Sequence, residues 1–300
     1  MSDNTKIEWC DSTFNPWIGC TKVGIGCDNC YAEREFDHRH HRAKWGAGQE
    51  RSLTSAHNWS LPLRWNRLHD VFLFATGRRR RVFCASLADV FDNEVPTAWR
   101  MDLFSLIAQT PNLDWLILTK RIGNVAKMAT NDGLMFDMIR ERVWLGATIV
   151  NQEEADRDIP KLLAVPAPVH WLSMEPLLGP VDLRGVWTHC PTHDFPSGFC
   201  IGACPDRRGI DWVVVGGESG PKARPMSPDW ARLLRDQCAT AGVPFLFKQW
   251  GEWLPMLGQA EGIPVGKKAE TPDGWVMGLA GKKSAGRLLD GIEHNAYPVP

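Results

Sequence analysis

The sequence predicts an α/β fold, and specifically a full or partial (β/α) TIM-like barrel. Two observations lead to this prediction: short continuous apolar runs, and segments with helix start and stop signals between them. Strands that are buried on both faces lack polar–apolar alternation, so such runs are typical of a parallel sheet. Regular alternation of strands and helices implies right-handed crossovers between parallel neighbours. A doubly wound open sheet is the alternative.

The strands of this sheet are predicted in chain order. An opening strand is expected within residues 7–18. Six further runs follow it: RVFCASLADVF (81–91), DWLILTKR (114–121), RVWLGATIV (142–150), PVHWLSMEP (168–176), DWVVVGGESG (211–220) and VPFLFKQWG (243–251). Together they make six or seven β-α units.

Helices are predicted over residues 95–109, 151–163 and 228–241. The last one has the clearest limits. Ser227 is a favoured N-cap residue, and Gly242 suits the left-handed conformation that often ends a helix.

Composition limits the class of protein. The hydrophobic content is 44%, charged residues make up 23%, and the formal net charge is −1, which excludes a global basic field for nucleic acid. No apolar run approaches the ~20 residues of a membrane span, and MSDNTKIEW lacks a signal-peptide core, so we expect no membrane partner and a cytoplasmic location. The nine cysteines are then expected to be metal ligands or buried residues rather than disulfides.

Two domains are predicted from the rhythm of the chain. The barrel is expected over residues 1–251, and it includes a Cys/His-rich insert at 182–209. Residues 252–300 contain scattered glycines and lysines, and they are expected to form an irregular extension that packs on the barrel.

Polar residues follow nearly every predicted strand. Parallel α/β architectures place function at the carboxyl ends of their strands, where charged groups would be costly unless they lined a site. The candidate site residues found there are Ser86, Asp89, Lys120, Thr148, Asn151, Glu175, Gly217, Glu218 and Lys248.

Three cysteines cluster after the opening strand, in GCTKVGIGCDNCYAERE (19–35). Cys27 and Cys30 form a C-x2-C pair, and Cys20 precedes them. A closed zinc site or a [4Fe–4S] cluster normally has four protein ligands, so three thiolates leave one position open. Their place at the top of the first β-α unit favours an iron–sulfur cluster over zinc.

The chain resembles the radical S-adenosylmethionine (SAM) enzymes in these cysteines. More closely, it resembles a phage-associated three-cysteine-motif family that is radical-SAM-like. The matching stretches are STFNPWIGC, GCDNCYAERE, DWLILTKR, LSMEPLLGP, VVVGGESGPKARPM, GVPFLFKQWGEW and KKSAGRLLDG. The interval of six residues between Cys20 and Cys27 is longer than in the common radical-SAM pattern.

The resemblance implies a barrel of the radical-SAM type, an enzyme and two cofactors. Cys20, Cys27 and Cys30 would bind a [4Fe–4S] cluster whose open iron takes SAM, and an electron from an external donor would release a 5′-deoxyadenosyl radical.

The resemblance also assigns roles to the residues at the strand ends. Ser86 and Asp89 would contact the methionine amino group of SAM, and Thr148 and Asn151 would contact its ribose. Glu175, Gly217 and Glu218 are further cofactor candidates. The catalytic candidates are Lys120, Glu175 and Lys248.

A second cluster lies in the insert HCPTHDFPSGFCIGACP. Cys190, His193, Cys200 and Cys204 have the short spacings of a closed tetrahedral zinc site, and His189 is an alternative to His193. An auxiliary iron–sulfur cluster and a loop without metal are the other interpretations.

The substrate is predicted only by class. The phage association, the arginine run at 78–81 and the 15 tryptophans favour a nucleic-acid or nucleotide-derived substrate, which an isomerase, a lyase or a transferase would change. A solvated strand edge and a tryptophan-rich core are the simpler interpretations of the last two features. If the chain is phage-encoded, its location is the host cytoplasm. The alternative function is a non-catalytic, zinc-bearing module that binds nucleic acid or protein.

Overall fold

The structure is a computed structural model, and it describes residues 3–186, 209–257 and 262–298. The chain divides into two compact units. The first consists of Met1–Ala147 and Ala164–Val169, and the second consists of Thr148–Leu163 and His170–Pro300. The predicted domain limits at 1–251 and 252–300 stay a prediction, since a compact unit is not by itself an independently folding domain.

The first unit contains strands β1 to β5 and nearly all of β6. Their bounds are β1 (Ser12–Phe14), β2 (Trp17–Ile18), β3 (Ser52–Leu53), β4 (Arg80–Cys84), β5 (Leu113–Thr119) and β6 (Val143–Thr148). Its helices are α1 (Tyr31–Glu33), α2 (Ala56–Arg67), α3 (His69–Thr76), α4 (Thr97–Gln109), α5 (Ile122–Thr130) and α6 (Gly133–Arg142). A 3-10 turn over Ile25–Cys27 precedes α1, and a π-helical segment over Arg34–Arg39 extends it.

Four strands of this unit pair in parallel, in the order β1, β4, β5, β6. Phe14 lies opposite Cys84, which in turn lies opposite Ile117, and all three are fully buried. The short strands β2 and β3 form a separate antiparallel pair. Because the carboxyl ends of parallel strands meet at one edge, the segments that follow β1, β4 and β5 come together there.

Nearly all of β7 and the rest of the elements belong to the second unit. They are α7 (Gln152–Leu163), β7 (Val169–Met174), β8 (Trp212–Gly216), α8 (Pro228–Ala241), β9 (Phe245–Gln249), β10 (Trp253–Pro255), β11 (Lys268–Glu270), β12 (Val276–Leu279) and α9 (Lys282–Ala285). β7, β8 and β9 pair in parallel in that order. β10, β12 and β11 form a small antiparallel sheet within the predicted C-terminal extension.

The helices are short, and they end where local signals place their ends. The predicted helix 228–241 is confirmed as α8: the Ser227 side chain accepts a hydrogen bond from the Asp229 N–H, and Gly242 has φ 66°. With 14 residues, α8 is well below the ~20 that a bilayer-spanning helix requires. No helix in the described ranges combines the length and the apolar character needed to cross a membrane.

The predicted full or partial (β/α) TIM-like barrel of the radical-SAM type is wrong, although the α/β class and the parallel strands are observed. A barrel closes when its last strand pairs with its first. Here the outer edge of β9 is bonded to the C-terminal segment: the Phe247 N–H donates to His294 O at 3.0 Å, and the Ala296 N–H donates to Phe245 O at 3.2 Å. Among the strands of the described ranges, β1 pairs with β4 alone. No closed ring of strands is present in this part of the chain.

Candidate functional site

The three clustered cysteines lie on the loop between β2 and α1. The 3-10 turn carries Cys27 at its end, and Cys30 is the N-cap residue of α1. Cys27 is buried, whereas Cys20 and Cys30 are partly exposed, and all three are free thiols. The loop starts shortly after the carboxyl end of β1, on the edge of the sheet where the segments after β4 and β5 also lie.

Cys20 contacts the charged side chains that follow β4 and β5. Arg121 Nη1 donates to Cys20 Sγ at 3.4 Å, and Arg121 Nη2 donates to the carbonyl oxygen of Thr21. Burial raises the pKa of the Cys20 thiol to about 12; Asp89 acts in the same direction and Arg121 opposes it. The thiol is therefore protonated at neutral pH, and a bound metal would have to displace that proton.

Cys30 lies near Cys27 and Lys120. Burial raises the pKa of the Cys30 thiol, and the neighbouring Cys27 adds to this effect. The backbone N–H groups of Glu33 and Ala32, in the first turn of α1, lower that pKa, and so does the charge of Lys120. N–H groups at a helix start and a nearby cation are the surroundings that favour a thiolate.

Asp89 is a structural centre of this edge. Its Oδ1 accepts from Thr119 Oγ1 at 2.8 Å and from the Phe91 N–H at 3.0 Å. Its Oδ2 accepts from the Lys120 N–H at 2.9 Å and from Arg121 Nη1 at 3.2 Å. An ionised carboxylate accepts about four hydrogen bonds, and these four donors fill all of its acceptor sites. Asp89 thereby holds the ends of β4 and β5 together. Its predicted contact with a cofactor amino group stays a prediction.

A buried charge network beside Cys20 was not predicted from the sequence. The side chain of Arg51 has no exposed surface, and its Nη2 lies 2.7 Å from Asp92 Oδ2 and 2.7 Å from Thr21 Oγ1. Arg121, whose side chain is 8% exposed, pairs with Asp89 and lies 3.8 Å from Asp92 Oδ1. The position of Arg121 directly after β5 was a usable signal, but Arg51 lies outside any motif.

Ser86, another predicted cofactor residue, joins the cysteine loop to the end of β4. Its hydroxyl and the side chain of Asn15 are hydrogen-bonded at 3.0 Å. Its backbone oxygen accepts from the Tyr31 hydroxyl at 2.6 Å. Since Tyr31 directly follows Cys30, this bond ties the start of α1 to the segment after β4.

In the second unit, Glu175 and Lys248 form an ion pair. Lys248 Nζ lies 2.5 Å from Glu175 Oε2, and both side chains are mostly buried. The Glu175 side chain lies over Gly216, where a Cβ atom would come within 3.2 Å of Glu175 Cγ. Glu175 Oε1 is buried and has no hydrogen-bond partner among the described residues. Glu175, after β7, therefore keeps one carboxylate oxygen that could accept a hydrogen bond. Its other oxygen pairs with the ammonium group of Lys248, near the end of β9.

Gly217 and Glu218 make contacts within the protein. A Cβ atom on Gly217 would lie 2.0 Å from the Trp250 carbonyl oxygen, and one on Gly251 would lie 2.1 Å from Glu218 O. The Glu218 carboxylate accepts from Arg224 Nε at 2.9 Å and from Arg224 Nη2 at 2.6 Å. The missing side chain of Gly217 thus admits another backbone segment, which explains the glycine without a ligand. The assignment of these residues to a cofactor stays a prediction.

Thr148 is the last residue of β6, and Asn151 directly precedes α7. Thr148 is buried. Asn151 Oδ1 accepts from the Glu154 N–H at 2.9 Å, and Glu154 Oε2 accepts from the Val150 N–H at 3.0 Å. These bonds satisfy N–H groups at the start of α7, so Asn151 has the role of a helix cap. Its predicted ribose contact is not tested by this geometry.

The arginine run at 78–81 is engaged within the fold. Arg78 pairs with Asp11 at 2.6 Å, and Arg79 pairs with Asp114 at 2.7 Å. Arg80 lies over the Phe72 ring at 4.2 Å, and the buried Arg81 lies over Trp144 at 5.7 Å. Five of the tryptophans are less than 2% exposed: Trp17, Trp115, Trp171, Trp212 and Trp250. These contacts agree with the simpler interpretations, an arginine run at a strand edge and a tryptophan-rich core, and the nucleic-acid substrate stays a prediction.

The structure thus brings together part of the predicted site. In the first unit, Cys20, Ser86, Asp89 and Lys120 lie around one edge with the cysteine loop, and in the second unit Glu175 pairs with Lys248. Within the described ranges, no group of three or more His, Cys, Asp or Glu side chains is close enough to hold a metal ion. The second predicted cluster, Cys190, His193, Cys200 and Cys204, lies outside the described residues.

Comparison with known proteins places the chain in a family. Residues 4–298 match the family described as "Protein of unknown function (DUF5131)". Because the match covers nearly the whole chain, the protein belongs to this family. Searches of curated proteins and of solved structures gave no match.

Proposed function

We propose that this member of the DUF5131 family is a radical SAM enzyme in which Cys20, Cys27 and Cys30 bind a [4Fe–4S] cluster. One observation carries the proposal: a loop with three free thiols lies at the carboxyl edge of the parallel strands, among the charged residues that follow β4 and β5. In parallel α/β sheets, ligands bind outside this edge.

The donor set fits an iron–sulfur cluster in its chemistry. Thiolates are the ligands of such clusters, and three of them leave one iron open to a small molecule. A closed zinc site requires a fourth protein ligand, and the described residues supply no such group around these thiols. The three sulfur atoms are not gathered at one point, so binding requires the loop to contract and Cys20 to lose its proton.

When bound, the cluster supplies a single electron to SAM, and that chemistry belongs to the cofactors. The protein's part is to hold the loop and to offset part of the effect of burial, which raises the pKa of the Cys20 and Cys30 thiols. N–H groups at the start of α1 and the charge of Lys120 favour the Cys30 thiolate. Arg121 donates to the sulfur of Cys20. An external electron donor is part of the proposal.

The substrate is proposed to be a nucleic acid or nucleotide-derived compound. Its anchor is not the arginine run, since Arg78 and Arg79 are paired with acidic residues of the protein. Lys248 and Glu175 suit the task better. Together they offer an ammonium group and a carboxylate oxygen that accepts no hydrogen bond from the described residues, which match the acceptor and donor groups on the edge of a base.

Anaerobic reconstitution with iron and sulfide tests the proposed metal site. The wild type is expected to take up about four iron atoms per chain and to gain broad visible absorption. Cys20→Ala, Cys27→Ala and Cys30→Ala should each lose most of this iron. Cys238→Ala is the matched control, because Cys238 is a free, buried thiol outside the loop.

Two results would contradict the proposal. Wild-type protein that binds zinc and no iron would favour the non-catalytic binding module instead. Full iron uptake by Cys27→Ala would show that the loop does not provide the ligands.

A further inference from the structure

We infer that Arg121 is the positioning residue of Cys20, and that Asp89 and Asp92 hold its guanidinium group in place for that task. The contacts of Arg121 are between residues of the protein and do not depend on what the loop binds. Only the purpose of holding Cys20, which is to bind a cluster, rests on the proposed function.

The contacts of Arg121 point in two directions. Toward the fold, Nη1 donates to Asp89 Oδ2 at 3.2 Å, and Nη2 lies 3.8 Å from Asp92 Oδ1. Toward the loop, Nη1 donates to Cys20 Sγ at 3.4 Å, and Nη2 donates to Thr21 O. One planar group thus joins two acidic residues that follow β4 to two consecutive residues of the cysteine loop.

Asp89 is itself held rigidly. Thr119 Oγ1 and the backbone N–H groups of Phe91 and Lys120 donate to its carboxylate at 2.8–3.0 Å. A carboxylate with three fixed donors presents its remaining lone pair in one direction, and Arg121 occupies it. The guanidinium is therefore placed by the ends of β4 and β5, not by its own flexible chain.

Arg51 holds the same residue of the loop from its other side. Its Nη2 donates to Thr21 Oγ1 at 2.7 Å and to Asp92 Oδ2 at 2.7 Å. Asp92 is thus close to both guanidinium groups, and Thr21 receives a bond from each. The side chains of Arg51 and Arg121 are both buried and both paired with acidic side chains. Together they fix the position of the Cys20–Thr21 peptide.

The loop needs such a support because the next residues have little packing. Lys22, Val23, Gly24 and Ile25 are exposed, and the chain turns back into the fold only at Cys27. A stretch with few buried contacts opens locally at low cost. Fixing Cys20 at its start limits where the first of the three thiols can lie, and this is the function that we assign to Arg121.

Hydrogen exchange of the full-length protein tests the inference. In Arg121→Met, the amides of residues 20–26 are expected to exchange about tenfold faster than in the wild type, while the amides of β4 and β5 stay protected. Arg100→Met is the matched control. Arg100 is also buried and its Nη1 donates to Asp92 O at 3.0 Å, but no bond joins it to the cysteine loop in the described structure. In Arg100→Met, the amides of residues 20–26 should exchange at the wild-type rate.

A conservative variant separates positioning from a loss of stability. Arg121→Lys keeps the charge beside Asp89 but lacks the planar fork, so its loop should exchange at a rate between those of the wild type and Arg121→Met. A merely structural role of Arg121 would raise exchange throughout the first unit, including β4 and β5. Unchanged loop exchange in Arg121→Met, or faster exchange everywhere in both variants, would overturn the inference.

Iron content after reconstitution is the second readout. Arg121→Met should bind less than about half the iron of the wild type, and Arg100→Met should match the wild type. If the wild type itself binds no iron, the proposed function fails, and the exchange result still decides whether Arg121 positions Cys20. If Arg121→Met loosens the loop and yet binds iron fully, the positioning role that we assign is wrong.

Discussion

Arginine side chains in the first unit bind acidic residues of the protein itself. Arg78 Nη1 and Nη2 donate to the two carboxylate oxygens of Asp11 at 2.6 and 2.7 Å, and the Arg81 N–H donates to the same carboxylate at 2.8 Å. Asp11 lies directly before β1, and Arg81 lies on β4. A charge-assisted, bidentate pair therefore fixes the start of one strand against its neighbour.

The pH dependence of stability should reveal this pair. Burial by itself would raise the pKa of Asp11, but the hydrogen bonds from Arg78 and Arg81 lower it below its ordinary 3.8. A lowered carboxyl pKa contributes stability above pH 3.8, and that contribution is lost as the pH falls through the folded-state value. We expect Asp11→Asn to lower the free energy of unfolding by about 1–2 kcal/mol at neutral pH. Urea unfolding should show a smaller difference at about pH 3.

A matched control is Asp137→Asn, since the carboxylate of Asp137 is 52% exposed and pairs with the exposed Arg140. It should change stability little at either pH. An Asp11→Asn effect that is equally large in acid would show that packing, not the ion pair, is responsible.

The sequence allowed single site residues to be identified, but it did not show which residues they pair with. Glu175 and Lys248 were identified because each follows or ends an apolar run, yet their pairing depends on the register of strands that are 73 residues apart in sequence. Arg51 and Asp92, 41 residues apart, carried no local pattern at all. Charge pairs of this kind are nonlocal, and a single sequence does not show them.

Among the elements, the residues that follow β8 approach those that follow β9 very closely. Gly217 and Gly251 leave room for the backbone carbonyl groups of Trp250 and Glu218. The Gly217 N–H also donates to Gln249 O at 2.9 Å. The glycines of GGESG and QWGEW therefore allow two chain segments to touch.

Substitution of Gly217 tests this close approach. Its Cβ atom would lie 2.0 Å from the Trp250 carbonyl oxygen, a backbone atom that cannot turn away. We expect Gly217→Ala to lower the free energy of unfolding by roughly 2–4 kcal/mol in urea titrations. Gly133→Ala is the control, because a Cβ atom there meets nothing within 4 Å. Equal stability of the two variants would refute the close approach.

Elements with local signals were predicted well. Helix α8 begins after Ser227 and ends before Gly242, and the capping residues alone define both limits. Gly217 was predicted to be a cofactor residue, because the sequence shows where a side chain is missing but not what fills the space. Element limits depend on neighbouring residues, whereas close approaches between strands depend on the tertiary fold.

In the whole molecule, the C-terminal segment occupies the edge of β9 at which a closing strand of the predicted barrel would have paired. Asn295 bridges Leu246 in antiparallel fashion, so residues 294–296 cover the outer edge of β9. Covering an edge in this way protects it from pairing with other chains. The stretch EHNAY has no strand pattern, and its partner strand lies far away in the sequence. The parallel strands were therefore predictable, but the covering of the β9 edge was not.

The cysteine loop is proposed to bind the cluster that cleaves SAM. The most direct test measures 5′-deoxyadenosine formed from SAM by the anaerobically reconstituted protein and a one-electron reductant. We expect the wild type and Cys238→Ala to form this product, and Cys27→Ala to form none. Wild-type protein that carries a full cluster and leaves SAM uncleaved would contradict it.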